Sequence, residues 1–219
     1  ELTLRHVKKA PTDKPLFLFV LYFDPHGNYI PEARYAKMFD DPAYAGQADG
    51  RVYSLPEVYK YETSMDLEHV KALYDGEIRQ TDDEIARLLG ELRKQDILTD
   101  DDLLIYTADH GEEFCEHGGL KHGRTLYEEV THVPLVLRWP GRIPAGRQSA
   151  QLADHTDLMP TLLNAAGIPQ VQDSAQAPLD LVALAKSDIP PTNRTLGLHV
   201  SVSKPLAGLR NSEWAVFLD

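Results

Sequence analysis

A chain of 219 residues with 42% hydrophobic residues is long enough for one large packed domain or one and a half small ones. Its formal net charge of -12, from 22 Lys+Arg against 34 Asp+Glu, excludes a general nucleic-acid or anionic-membrane surface, because both need a basic patch. One cysteine, Cys115, excludes an internal disulfide, and no stretch approaches the ~20 apolar residues of a membrane helix.

The first clear element is the continuous apolar run Leu16–Phe23, bounded by Pro15 and Asp24-Pro25. Its composition predicts a strand buried on both faces, as in a parallel sheet. Residues 24–55, rich in proline, glycine and tyrosine without a period, read as a long loop. Within it, Tyr29, Arg34, Tyr35 and Tyr44 either contact a substrate or pack the loop.

A long helix follows. Ser64 is its predicted cap, Asp66 and Glu68 place acids in the first turn, and the end falls near Gln95. Leu67, Val70, Tyr74, Ile78, Thr81, Ile85, Leu88 and Leu92 recur at spacings of three and four, giving an apolar face for a sheet. Gly76 and Gly90 each cost about 1 kcal/mol in a helix interior, and close helix-to-sheet packing is the expected compensation. Thr99–Asp102 reads as a solvated turn and not a metal site.

Then come a predicted buried strand at 103–108, a helical turn at 125–130, and a strand at 134–138 ended by Trp139-Pro140-Gly141. A helix at 155–166 stops at Gly167. After 167 the texture changes. Residues 168–194 are loop-rich with a helical piece near 179–185, and strands at 195–202, 206–210 and 213–219 read as an antiparallel meander. The expected organisation is thus an α/β part over 1–167 and a small antiparallel subdomain over 168–219. Asn193-Arg194-Thr195 fits a glycosylation acceptor, a triplet common by chance.

The chemistry concentrates after the strand at 103–108, in Thr107-Ala108-Asp109-His110-Gly111-Glu112-Glu113, Glu116-His117-Gly118 and Lys121-His122-Gly123. In open α/β sheets, ligands bind at the carboxyl ends of strands. Asp109 and His110 are the candidate metal ligands. Calcium would need several more oxygens, whereas the imidazole also suits zinc or manganese, and in every case further ligands must come from elsewhere. His26, just past the run 16–23, could donate to an anionic group or protonate a leaving oxygen. Lys121 and His122 are the cationic candidates beside the metal, able to hold an anionic oxygen. An acidic chain can bind an anionic substrate through such a cluster. His117 reads as structural. Cys115, flanked by Glu113 and Glu116, reads as a space-filling residue rather than a reactive thiol.

These pieces together resemble the sulfatase family of the alkaline phosphatase superfamily. The matching blocks, in family order, run through Phe17-Leu18-Phe19-Val20, Asp24-Pro25-His26, Tyr74-Asp75-Gly76-Glu77-Ile78 and Tyr106-Thr107-Ala108-Asp109-His110-Gly111-Glu112. They continue through Glu116-His117-Gly118, Val133-Pro134-Leu135-Val136, Trp139-Pro140-Gly141 and Asp157-Leu158-Met159-Pro160-Thr161. The resemblance implies part of an α/β three-layer sandwich with a mainly parallel or mixed sheet and a small antiparallel C-terminal subdomain. It implies Asp109 and His110 as ligands of a divalent metal, most often Ca²⁺. His26 would contact the sulfate or leaving group. Ungapped counting places His122 where many members carry a sulfate-binding lysine, with Lys121 one residue earlier.

The family's upstream paired-Asp metal motif and its Cys-x-Pro-x-Arg type signature, whose Cys or Ser becomes formylglycine, are absent from this sequence. The expectation is therefore the C-terminal part of a sulfuric ester hydrolase, inactive alone, completed by an N-terminal part of the same domain and acting on a small-molecule or glycan sulfate ester. One alternative is a phosphatase, phosphodiesterase or phosphomutase of the same superfamily with two zinc or manganese ions. The other is a non-catalytic binding domain on the same fold.

Overall fold

The structure is a computed structural model that describes residues 2–11, 13–52, 64–169, 178–188, 190–200 and 205–218. The far end of the loop read over 24–55, the side chain expected of Ser64 as a cap, and the ends of the strands at 195–202 and 213–219 lie outside this description. The chain forms two compact units, Glu1–Thr99 and Asp100–Asp219.

The first unit is built on the long helix. We label its helices α1 (Leu2–Val7), α2 (Ala33–Phe39) and α3 (Ser64–Lys94). The bounds of α3 agree with the periodicity. Its stop is a residue in the left-handed region, Asp96 with φ 54°, and Ile97 folds back to donate to the Leu92 carbonyl at 2.9 Å. The apolar stripe is buried at Val70, Leu88 and Leu92, and Leu73, outside the expected stripe, is buried beside it. Within this unit it meets α1, α2 and loop, not a sheet. Val7 packs with Leu88 and Leu92, flanked by Leu4, Val20, Tyr22, Ile97 and Leu98. Ile78 departs from the stripe and stays 43% exposed. At Gly76 a Cβ would lie 2.9 Å from the Pro31 ring, so the glycine admits the loop before α2 rather than a strand; Gly90 has no such neighbour within 4 Å.

Two further expectations fail in this unit. The loop 24–55 contains α2, whose single helical turns carried no readable period in seven residues. The run Leu16–Phe23 is extended but forms no ladder with any described strand, and Phe17, Phe19, Leu21 and Phe23 are about 70% exposed. Apolar composition marks a segment fit for burial; a strand also needs neighbours to receive its N–H and C=O groups.

The second unit holds β1 (Leu104–Thr107), β2 (Glu113–Phe114), β3 (Leu120–Lys121), α4 (Glu128–Thr131), β4 (Leu135–Arg138), α5 (Leu158–Ala165), α6 (Leu181–Lys186), and β5, β6 and β7 (Leu196–Val200, Leu206–Arg210, Ala215–Leu218). Every described ladder is antiparallel: β1 with β4, β2 with β3, and the meander β5-β6-β7. The mainly parallel or mixed sheet is thus not what these strands form among themselves. Nor is β1 fully buried: Tyr106 and its partner Val136 are 44% and 55% exposed on one side of the pair. The turn at 99–102 does fasten this pair, through Arg138 to Asp100 at 2.7 Å and the Trp139 indole N–H to the Asp101 carbonyl at 2.9 Å.

α5 is entered through a 3₁₀ turn at His155–Asp157 with a reciprocal capping box between Asp154 and Asp157. Gly167, at φ 69°, ends it as expected. Asp157, fully buried, accepts from the Leu179 and Asp154 N–H groups and takes the guanidinium of Arg194 in two bonds, one of them 2.9 Å. Arg194 therefore serves the core of this unit, a role its surface-like triplet concealed.

Candidate functional site

The candidate cluster grows from the end of β1. His155 Nε2 lies 2.9 Å from the Ala108 carbonyl and steadies the strand end. The next two residues are Asp109 and His110. The Asp109 side chain is 79% exposed, and one oxygen accepts the His110 backbone N–H at 3.1 Å. His110 Nδ1 lies 2.8 Å from the Gly111 carbonyl. A carbonyl only accepts, so Nδ1 carries the proton and the neutral ring keeps its lone pair on Nε2. That nitrogen is 3.8 Å from the other Asp109 oxygen. Two donors at that separation fit one ion with bonds of roughly 2.3–2.6 Å. The pair fits a divalent cation but does not complete its sphere, and further oxygens are required.

Gly111 makes the turn possible. Its N–H donates to the Val130 carbonyl at 2.8 Å, and Glu112 donates to Glu129 at 3.0 Å. A Cβ at 111 would overlap the Glu129 carbonyl oxygen. Gly111→Ala should therefore cost about 3 kcal/mol through forced backbone displacement. Chemical denaturation should show a lower midpoint at unchanged slope; an unchanged midpoint would refute the close approach.

Past the turn, a buried carboxylate takes hold of the next histidine. The Glu112 side chain is 3% exposed, and one oxygen lies 3.0 Å from His122 Nδ1. The His122 ring stacks on His110 with centroids 3.8 Å apart. Lys121 ends β3 with φ 73° and pairs across to Glu113. The second unit thus gathers Asp109, His110 and His122, with Lys121 adjacent. His26 belongs to the first unit, half-buried, with its ring 4.6 Å from that of Phe23.

Among the described residues, one group of three could chelate an ion: Glu113, His117 and Glu129, with ligand atoms within 4.8 Å of one another. Its internal bonds give it a structural use. Glu113 already accepts from the Gly119 N–H at 2.7 Å, the His117 N–H at 3.2 Å and the Thr125 hydroxyl at 3.1 Å. His117 Nδ1 lies 2.6 Å from Glu129, and its ring stacks on Tyr127 at 3.6 Å. Phe217 of β7 meets Tyr127 edge-on. Cys115 is exposed in the turn between β2 and β3 with φ 66°, so it fills no core space, contrary to expectation. The turn between β2 and β3 places a left-handed residue at this position.

The loop carrying His26 is fastened to α3 by side chains from both partners. Tyr22 Oη donates to the Glu84 carbonyl at 3.4 Å, Thr81 Oγ1 to that of Asp24 at 3.4 Å, and the Ile30 N–H to Glu77 Oε1 at 2.7 Å. Gln80 accepts from the Glu32 N–H at 2.9 Å, and Tyr35 Oη donates to Asp83 at 3.0 Å. Tyr29 and Tyr35 are core residues at 0% and 3% exposure, so they pack the loop. Tyr44 stacks on His69 at 3.9 Å. Burial and its bond to Asp66 push its phenol up to about 12. Glu77 is 4% exposed; burial pushes its carboxyl up to about 7, and its Oε2 has no hydrogen-bond partner.

Sequence reasoning missed Glu112, Glu113 and Arg194. Their partners lie 10, 12 and 37 positions away, and no periodicity signals such pairings.

Known proteins supply the next observation. A family profile described as Sulfatase matches residues 2–168. The chain belongs to the sulfatase family. The match explains the order of the motif blocks from Phe17 to Thr161. Among curated sulfatases, arylsulfatase K of Homo sapiens is 33% identical over 111 residues, covering 51% of this chain and 20% of that protein. N-acetylglucosamine-6-O-sulfatase of Bacteroides thetaiotaomicron is 36% identical over 106 residues, covering 48% of this chain and 19% of that protein. The putative extracellular sulfatase Sulf-1 homolog of Caenorhabditis elegans is 30% identical over 187 residues, covering 79% and 26%. The sulfatase chain thus spans about a fifth to a quarter of these relatives' length. Among solved structures, BT4656 in complex with its substrate D-glucosamine-2-N,6-O-disulfate superposes with TM-score 0.76 at 19% identity, covering 99% of this chain and 59% of that one. Phosphonate monoester hydrolase of Agrobacterium radiobacter gives 0.72 at 25% identity, covering 98% and 50%. The sulfatase chain therefore carries part of the fold these enzymes share. No described helix is long and apolar enough to cross a membrane.

Proposed function

We propose that this chain is the C-terminal part of the catalytic domain of a metal-dependent sulfuric ester hydrolase. The observation that carries the reading is the convergence of Asp109 and His110 Nε2 at 3.8 Å, with His122 stacked beside them and held by buried Glu112. Asp109 and His110 would hold one divalent ion, most often calcium in this family. When bound, that ion would draw negative charge from a sulfate oxygen. His122, with Lys121 beside it, would hold another sulfate oxygen, and Glu112 fixes the ring's rotation and the proton on Nδ1. His26 would donate a hydrogen bond to the sulfate or to the departing alcohol oxygen.

The remaining ligands, the paired aspartates and the formylglycine nucleophile, would come from sequence outside these 219 residues, so the chain alone would not turn over substrate. Two facts support that completion: the relatives' greater length, and the exposed apolar run Leu16–Phe23, which forms no ladder with any described strand. The completed sheet would be the mixed one of a three-layer sandwich, with 1–167 as its share and 168–219 as a small C-terminal subdomain. Sulfated sugars are the proposed substrate class, because BT4656 was solved with one and the Bacteroides relative is named for another.

A two-metal phosphatase, phosphodiesterase or phosphomutase reading has one observation of its own: His122 against His110 offers a further imidazole where a second ion could sit. Metal content and turnover of the full-length protein separate the two. One calcium per chain with aryl sulfate preferred over aryl phosphate is expected. Two zinc or manganese ions with the reverse preference would overturn the sulfatase assignment.

A further inference from the structure

We infer that Glu77 is a proton-operated latch on the loop that carries His26: the loop is held closed when the carboxyl is protonated and loosens when it ionises. The geometry supports this at each step. Glu77 stands on the rigid central turns of α3 and reaches the Ile30 N–H at 2.7 Å, four residues beyond His26. The other hydrogen bonds described above between residues 22–35 and α3 use carbonyls, hydroxyls, an amide and the half-exposed Asp83. Among these described bonds, that of Glu77 is the one made by a buried ionisable side chain. Its second oxygen is buried with no hydrogen-bond partner among the described residues, so a negative charge there is poorly compensated. Gly76 beside it admits the Pro31 ring, next in the chain after Ile30.

The Ile30 N–H favours the ionised carboxylate, but burial outweighs it, and the charges around Glu77 do not offset that burial. Asp24, on the same loop, repels a second negative charge. Arg34 of α2 pairs with Glu32, and Arg79 of α3 pairs with Asp82 and Asp83. Lys71 bears on Asp75. His26 lies between Asp24 and Ile30 on the loop itself. The carboxyl is raised from 4.5 to about 7, so the closed loop binds its proton more tightly than the open one. Closure is accordingly favoured at acid pH and weakens as pH rises through about 7. Glu77 is a positioning residue. Its bearing on catalysis rests on the role proposed for His26, whereas the latch itself does not.

The test is hydrogen exchange of the full-length protein at pH 6 and pH 8.5, corrected for intrinsic rates, in wild type and Glu77→Gln. Protection over residues 24–32 should be about tenfold lower at pH 8.5 in the wild type, the ratio that linkage gives for a carboxyl moved from 4.5 to about 7. Leu88–Leu92 in the same helix should not change. Glu77→Gln, which keeps an acceptor for Ile30, should show no pH step. A wild-type loop with equal protection at both pH values, or the same step in Glu77→Gln, would overturn the latch; should the variant fail to fold, the wild-type comparison decides alone. Separately, kcat of His26→Ala tests the residue the latch positions. An unaffected kcat beside a clear pH step in protection would sink the role of His26 and leave the latch standing.

Discussion

Arg194→Ala is expected to destabilise the unit Asp100–Asp219 by about 3–5 kcal/mol, because it leaves a fully buried carboxylate without its counter-charge. Asp157 would keep only the Leu179 and Asp154 N–H groups, and neither carries charge. The loss propagates beyond the pair. Asp157 begins α5, and its bond to Leu179 ties that helix to the segment entering α6. Thr161, also fully buried, makes the same tie through its hydroxyl to the Leu181 N–H at 2.9 Å and the Leu179 carbonyl at 3.3 Å. For a chain of this size the change corresponds to a fall in Tm of about 10 °C. The double variant Arg194→Met with Asp157→Asn removes both charges and keeps an acceptor for one of the two backbone donors. It should recover a large part of the loss, since a buried pair is often replaceable as a pair. Calorimetry of the three proteins tests this. A single variant within about 1 kcal/mol of wild type would mean the pair is hydrated and not part of the core.

Asp109→Ala should do the opposite: little to the fold, nearly everything to the chemistry. The side chain is 79% exposed and one of its bonds is to the next residue's N–H, so the apoprotein should change by no more than about 0.5 kcal/mol. On the role proposed for Asp109, its loss from the full-length protein should lower kcat/KM on an aryl sulfate by about 10³-fold or more, roughly 4 kcal/mol of transition-state stabilisation. Calcium chloride should raise the Tm of the wild type through preferential binding to the folded state and should not raise that of the variant. A variant that still responds to calcium would move the metal away from this residue.

These two residues also show how differently sequence and structure speak. Asp109 was legible because its neighbours in the chain identify it: an apolar strand, then Asp-His-Gly, within a block order shared with a known family. Arg194 was not, because its role depends on a partner 37 positions earlier. The long helix was readable, since thirty-one residues repeat a 3.6-residue period many times. The seven-residue α2 was not, for two turns give too few repeats. The run Leu16–Phe23 shows the converse limit: its composition declares a strand, and composition alone cannot supply the neighbour that makes one.

By itself, then, the sequence determined family membership, the span of α3, the place of the Asp109-His110 pair and the antiparallel meander at the end of the chain. All of these depend on local patterns in which each residue constrains those a few positions away. Only the tertiary structure decided that His122 is the residue that stacks on His110, that Glu112 holds it, that Arg194 neutralises Asp157, and that Glu77 is buried with one oxygen unpaired. Each of these results from burial and from contacts between distant segments, and both come into being only when the chain has closed on itself.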